Sequence, residues 1–164
     1  MNRRLDIAGV TFHFVFGDCP AALREGARQF WTELDILSES PDERLQELVI
    51  VATGDDGLVI GTSTARLMAV PSIGTDMYFY RNYVSPRARR GHVAHHLMLE
   101  SFADLEARDA ENPRAGGLYI IVDNPMLRRI QNEATWFESR YLFIGRTVED
   151  FDQRIRYFAH ARMW

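Results

Sequence analysis

The chain has 164 residues, 46% of them hydrophobic, enough to bury one ordinary core, and residues 1–164 read as a single domain. A formal charge of -4 argues against a general nucleic-acid binder, and the lone Cys19 excludes an intrachain disulfide, a thiolate zinc cluster and a CxxC redox pair. The start, Met1-Asn2-Arg3-Arg4-Leu5-Asp6, leads into no apolar run of signal or membrane-spanning length, so a cytoplasmic protein without membrane contact is expected.

Ile7 to Phe16 has the β-branched and aromatic content of a first strand, ending at Gly17. Asp18 is suited to cap a helix that tolerates Pro20 in its first turn, with Leu23, Ala27, Phe30, Trp31 and Leu34 at helical spacing. Ser40-Pro41-Asp42-Glu43 resembles a capping box, which predicts a short helix through Leu48. Glu47 to Ala52 and Leu58 to Met68 flank the turn-forming Thr53-Gly54-Asp55-Asp56-Gly57 and read as an antiparallel hairpin. After a break at Pro71 to Gly74, Asp76 to Val84 supplies the third strand of a meander.

The period then changes: Val93, Ala94, Leu97, Met98, Phe102 and Leu105 form one stripe of a helix reaching Arg108. Leu118 to Val122 is almost continuously apolar, as in a strand covered on both faces, so strand, helix and strand imply a parallel crossover. Asn124-Pro125 starts another helix, continued by Leu127, Ile130, Ala134 and Phe137 and stopping near Arg140. Tyr141 to Arg146 and Ile155 to Met163 make two late strands. The whole is an α/β layer structure with a mixed, mostly antiparallel twisted sheet and helices on both faces.

Between the third strand and its helix lies Ser85-Pro86-Arg87-Ala88-Arg89-Arg90-Gly91-His92. A tight basic turn entering a helix aims backbone N–H groups and the positive helix end at an anion, and a phosphate suits it. Arg87, Arg89 and Arg90 in an otherwise acidic chain read either as anion contacts or as a solvated basic edge. His92 can share a helical face with His95 or with His96, but no third ligand is placed by spacing and no H-E-x-x-H exists, so a first-turn polar role is preferred to metal. The G-x-G-x-x-G and G-x-x-x-x-G-K-[ST] phosphate loops are absent.

Val84, Pro86, Arg89, Val93, Ala94 and Leu97 resemble the central motif of the GNAT family, the Gcn5-related N-acetyltransferases: a strand ending V-x-P, then R/Q-x-x-G-x-G/A entering a helix. Arg89 fills the R/Q position, Ala94 the G/A position, and His92 falls where the family has glycine. The resemblance implies a GNAT-like acyl-CoA N-acyltransferase fold and direct acetyl transfer from acetyl-CoA to a small-molecule or peptide amine. It places the cofactor on Tyr83, Val84, Ser85, Arg89, Arg90, Gly91, His92, Val93, Ala94, His95 and Asn124, with a backbone donor near Val84 polarising the thioester carbonyl. Asn124 reads equally as a helix cap.

The family's A-x-x-L-Y-E-K-x-G-F helix, whose tyrosine protonates the leaving thiolate, resembles Glu133 through Tyr141, with Trp136 at the leucine, Phe137 at the tyrosine and Glu138 at the glutamate. Phe137 stands at the tyrosine position and lacks the hydroxyl, so Tyr141 or water is left as the acid. Asp76, Asp123 and Glu133 are carboxylates able to serve as base, Asp76 favoured because it opens the central strand. His92 and Phe137 also motivate an alternative, a non-catalytic acyl-CoA-binding sensor or scaffold. Trp31, Trp136 and the aromatics from Tyr78 to Tyr83 suit a core, an acceptor wall or a homodimer contact better than base stacking.

Overall fold

The computed structural model describes residues 3–163, with Arg90 and Gly91 described by their backbone alone. The chain forms two compact units, residues 1–65 with 81–104 and residues 66–80 with 105–164. The first unit begins with a tight hairpin, β1 (Arg4–Ile7) and β2 (Val10–Phe14), with Ile7 opposite Val10. Ala8 and Gly9 turn the corner at φ 49° and 80°, the left-handed pair that matches strand twist in a two-residue loop. One strand over Ile7–Phe16 was expected. Alanine is an unusual residue for that corner, so composition alone conceals the turn.

Helix α1 (Ala21–Leu34) starts one residue after Pro20, without a side-chain cap from Asp18. Its buried Ala27, Phe30 and Trp31 pack with Val15, Leu45, Leu48 and Val51, and the Trp31 Nε1 donates to Thr62 Oγ1 at 3.0 Å. Ser40 Oγ accepts the Asp42 N–H at the start of α2 (Pro41–Leu45), as the capping pattern implies. That helix stops before Leu48 because the Glu47 carbonyl already accepts the Ala65 N–H, committing the backbone to the sheet.

Strands β3 (Leu48–Thr53) and β4 (Val59–Val70) pair antiparallel, as expected. Their register shifts where Ala52 faces Gly61 but Thr53 faces Val59, which makes Ile60 the extra residue of a β-bulge. Strand β5 (Thr75–Val84) leads into a 3₁₀ turn at Pro86–Gly91 and then α3 (Val93–Glu111). In the first unit α1 and α2 cover one face of the sheet. The start of α3 covers the other, where the His96 ring meets Phe12 at 5.9 Å and Ser101 Oγ meets Ser63 Oγ at 2.8 Å.

In the second unit β6 (Gly117–Val122) runs parallel to β5, with Tyr78 opposite Leu118 and Phe79 opposite Tyr119. A core of Val70, Met77, Tyr119 and Ile155 lies on one face. Strand β8 (Asp152–Tyr157) sits between β6 and β7 (Leu142–Arg146), antiparallel to both. It begins three residues before the expected Ile155 and ends well short of Met163. The sheet order is β1-β2-β3-β4-β5-β6-β8-β7, mixed and mostly antiparallel with helices on both faces.

The largest departure is α4 (Pro125–Ile130), which stops ten residues before Arg140. None of its residues is buried, and Phe137, expected on the same stripe, is 94% exposed. With no core to receive that stripe, residues 134–136 fold back on 141–143. The Trp136 N–H donates to the Tyr141 carbonyl at 2.9 Å and the Phe143 N–H to the Ala134 carbonyl at 2.8 Å. Trp136 and Tyr141 are buried in this segment, Trp136 under the Arg154 guanidinium at 4.4 Å.

Candidate functional site

The end of β5 from Arg81, the turn and the start of α3 as far as Asp104, where an anion is expected, belong to the first unit. Tyr83 and Val84 close β5 half-buried, and the buried Ser85 donates its N–H to the Ile60 carbonyl at 2.8 Å. That bond engages the Ser85 amide inside the protein. Arg87 and Arg89 are exposed, and Arg87 lies 3.8 Å from Asp56 of the β3–β4 turn. Arg90 and Gly91 belong to the 3₁₀ backbone, and the Arg90 side chain lies outside what is described.

His92 joins the turn to α3 at φ 56° and ψ 19°, in the left-handed region. This conformation accounts for a glycine in the motif it resembles, since glycine enters that region without the clash a Cβ brings. The His92 side chain is exposed, and its carbonyl accepts the His96 N–H at 3.1 Å. The amides of Val93, Ala94 and His95 therefore precede that bond in the helix, where N–H groups and the helix dipole favour an anion. Val93 is buried, Ala94 exposed and His95 half-buried.

Beside Tyr83 stands a charged cluster that the sequence did not disclose. Arg44 is 3% exposed, reaches Glu39 Oε1 from Nη2 at 2.6 Å and Thr64 Oγ1 from Nη1 at 3.0 Å, and lies 5.8 Å from the Tyr83 ring. Arg81 of β5 binds Glu39 at 3.2 Å and Glu47 at 2.8 Å. Burial, and Arg44 beside it, hold the Arg81 guanidinium below its usual value. A charged Arg81 within the aromatic run from Tyr78 to Tyr83 was the one signal available. Its partners come from around α2, a long-range pairing that spacing does not reveal.

The remaining predicted residues belong to the second unit. Asp76 is exposed at the start of β5, and its carbonyl accepts the Gly116 N–H at 2.8 Å. Asn124 Oδ1 accepts the N–H groups of Met126 at 3.0 Å and Leu127 at 3.2 Å, which makes it the cap of α4.

Tyr141 is wholly enclosed, and its hydroxyl has no hydrogen-bond partner among the described residues. Burial, with Tyr80 nearby, pushes that hydroxyl far above the usual tyrosine range. It stays protonated, but it has no surface to offer a leaving group, so the expected proton-donor role gives way to packing beside Trp136 at 6.1 Å. Trp31 and Trp136 are likewise buried rather than available for stacking. Asp123 and Glu133 are exposed. Among the described residues no three His, Cys, Asp or Glu side chains group as metal ligands. No helix among them is long and apolar enough to cross a membrane.

The structure is similar to the crystal structure of Arabidopsis thaliana NAA60 in complex with acetyl-CoA, with a TM-score of 0.54 and 16% sequence identity. The match covers 93% of this chain and 99% of that one. No protein-family model and no curated protein matches the sequence. The strand order, the parallel β5–β6 pair joined through α3 and this likeness together define the chain as having the GNAT acetyltransferase fold.

Proposed function

We propose that this chain is an N-acetyltransferase moving an acetyl group from acetyl-CoA to a primary amine on a small molecule or peptide. The observation that carries the reading is the β5–turn–α3 segment, where a left-handed His92 leads into the first amides of a nineteen-residue helix. The bound acetyl-CoA of a structure sharing the fold supports it.

Acetyl-CoA bound here supplies a thioester carbon open to attack by an amine. The amides of Val93, Ala94 and His95 and the dipole of α3 would face the diphosphate, and exposed Arg89 would add positive charge beside it. With the Ser85 N–H committed to Ile60, the Val84 backbone is the remaining donor we assign to the thioester carbonyl. An ammonium must lose a proton before it attacks, and Glu47, 17% exposed in the cluster beside Tyr83, is our candidate to accept it through water. Water, rather than Tyr141, is assigned to protonate the thiolate.

The test combines calorimetry with turnover. Acetyl-CoA should bind saturably, and a broad panel of primary amines should include at least one that releases free CoA and gains an acetyl group. Because the chain contains no lysine, label incorporated by side-chain amines of the enzyme does not obscure the count. Absence of binding rejects the proposal. Tight binding without turnover on any amine favours the acyl-CoA sensor, the reading suggested by the exposed Phe137 at the family's tyrosine position.

A further inference from the structure

Strand β4 supports the turn from beneath at two consecutive residues. The bulged Ile60 presents its carbonyl to the Ser85 N–H at 2.8 Å. At the next residue, Gly61, a Cβ would stand 3.2 Å from Val93 Cγ1, 3.2 Å from Leu97 Cδ1 and 3.3 Å from the Tyr83 carbonyl oxygen. Val93 and Leu97 are 2% and 0% exposed, so the start of α3 rests directly on the bare glycine backbone.

These neighbours differ in how they yield. The Leu97 methyl is the end of a flexible side chain and moves aside at little cost. Val93 is β-branched, held to one χ1 rotamer in a helix, and is the first residue of α3. The Tyr83 oxygen is backbone at the strand end. A methyl at Gly61 therefore pushes on the two pieces that define the turn, the end of β5 and the first residue of α3. Close packing transmits such a push instead of absorbing it.

We propose that Gly61 is a positioning residue for CoA, setting the separation between the Tyr83–Val84 strand end and the first amides of α3. This inference rests on the proposed cofactor reading. It concerns no contact between Gly61 and the ligand: its effect passes through Val93 and Tyr83.

The experiment measures CoA affinity by calorimetry, and thermal midpoint in parallel, for wild type, Gly61→Ala, Val93→Ala and the double variant. Gly116→Ala serves as the steric control. In the other unit, a Cβ at Gly116 meets Met77 Sδ at 3.2 Å and Met163 Cε at 3.3 Å, a comparable load away from the turn. Gly61→Ala should weaken CoA about tenfold. Gly116→Ala should stay within about twofold of wild type. Removing Val93 Cγ1 in the Gly61→Ala background should return most of the lost affinity relative to Val93→Ala alone, a comparison that also holds if the single glycine variant folds poorly.

Unchanged CoA affinity in a folded Gly61→Ala protein overturns the inference, as does equal weakening by Gly116→Ala. Wild-type protein that does not bind CoA rejects the cofactor reading itself, and the inference with it. Wild-type binding that Gly61→Ala leaves untouched rejects the inference alone.

Discussion

The Ser85 amide donates to the Ile60 carbonyl across 2.8 Å, and this bond fixes where β5 ends and the basic turn begins. It also divides the roles of neighbouring backbone groups. Ser85 is buried, so its contribution is structural and comes from its main chain. Ser85→Ala should therefore leave CoA affinity within about twofold, since the backbone donor is retained. A large loss measured by calorimetry would place the hydroxyl on the ligand.

His92 holds φ at 56° without being glycine. Left-handed backbone costs an L-residue about 1–2 kcal/mol. Glycine offsets part of that gain through about 0.5–1 kcal/mol of added unfolded-chain freedom. His92→Gly should consequently stabilise the fold on the order of 1 kcal/mol in urea denaturation, and bind CoA as well as wild type or better. Weaker binding would identify the imidazole as a positive contact.

Much of the frame was legible in the sequence because period and turn chemistry act locally. The change from the alternating strand at Asp76–Val84 to the stripe at Val93, Leu97 and Leu105 located β5 and α3, and Gly54 with Gly57 located the β3–β4 turn. The N-terminal hairpin escaped because Ala8 occupies a corner that glycine or asparagine usually marks. Leu127, Ile130, Ala134 and Phe137 had helical spacing, yet the stripe found no core and α4 ended at Ile130. The Glu39–Arg44–Glu47–Arg81 cluster depends on tertiary pairing, as do the bulge at Ile60 and the role of Gly61, and no local pattern encodes them.

Tyr141 offers a pH test with a definite sign. Its hydroxyl ionises near 10.0 when unfolded and well above that when buried in the native protein. A raised folded value means that its stabilisation is complete below pH 10 and is lost as pH rises above the unfolded value. Tyr141→Phe should lessen the decline in stability above pH 10. It also removes a buried hydroxyl without a partner, a group that costs about 1–3 kcal/mol when left unsatisfied, so the variant should be at least as stable at neutral pH. The pH profile of kcat should not change, and a lost alkaline limb would restore Tyr141 as the acid.

Arg154 is 1% exposed, its guanidinium lies over the rings of Trp136 and Phe143, and its Nε and Nη1 have no hydrogen-bond partner among the described residues. Nη2 donates to the Gln131 carbonyl only at 3.4 Å. Burial holds this guanidinium below its usual value. Replacing a poorly compensated buried charge with an apolar side chain of similar volume is neutral or stabilising by about 1–4 kcal/mol, so Arg154→Met should raise or preserve the urea midpoint. A loss of more than about 3 kcal/mol would mean that the cation is paired in solution.

The most direct measurement is a titration of isotopically labelled protein with CoA, followed through its backbone amide resonances. The account predicts saturable shifts largest at His92, Val93, Ala94 and His95, with Val84 responding when acetyl-CoA replaces CoA. Saturation with those amides unmoved, or no binding at all, would contradict it.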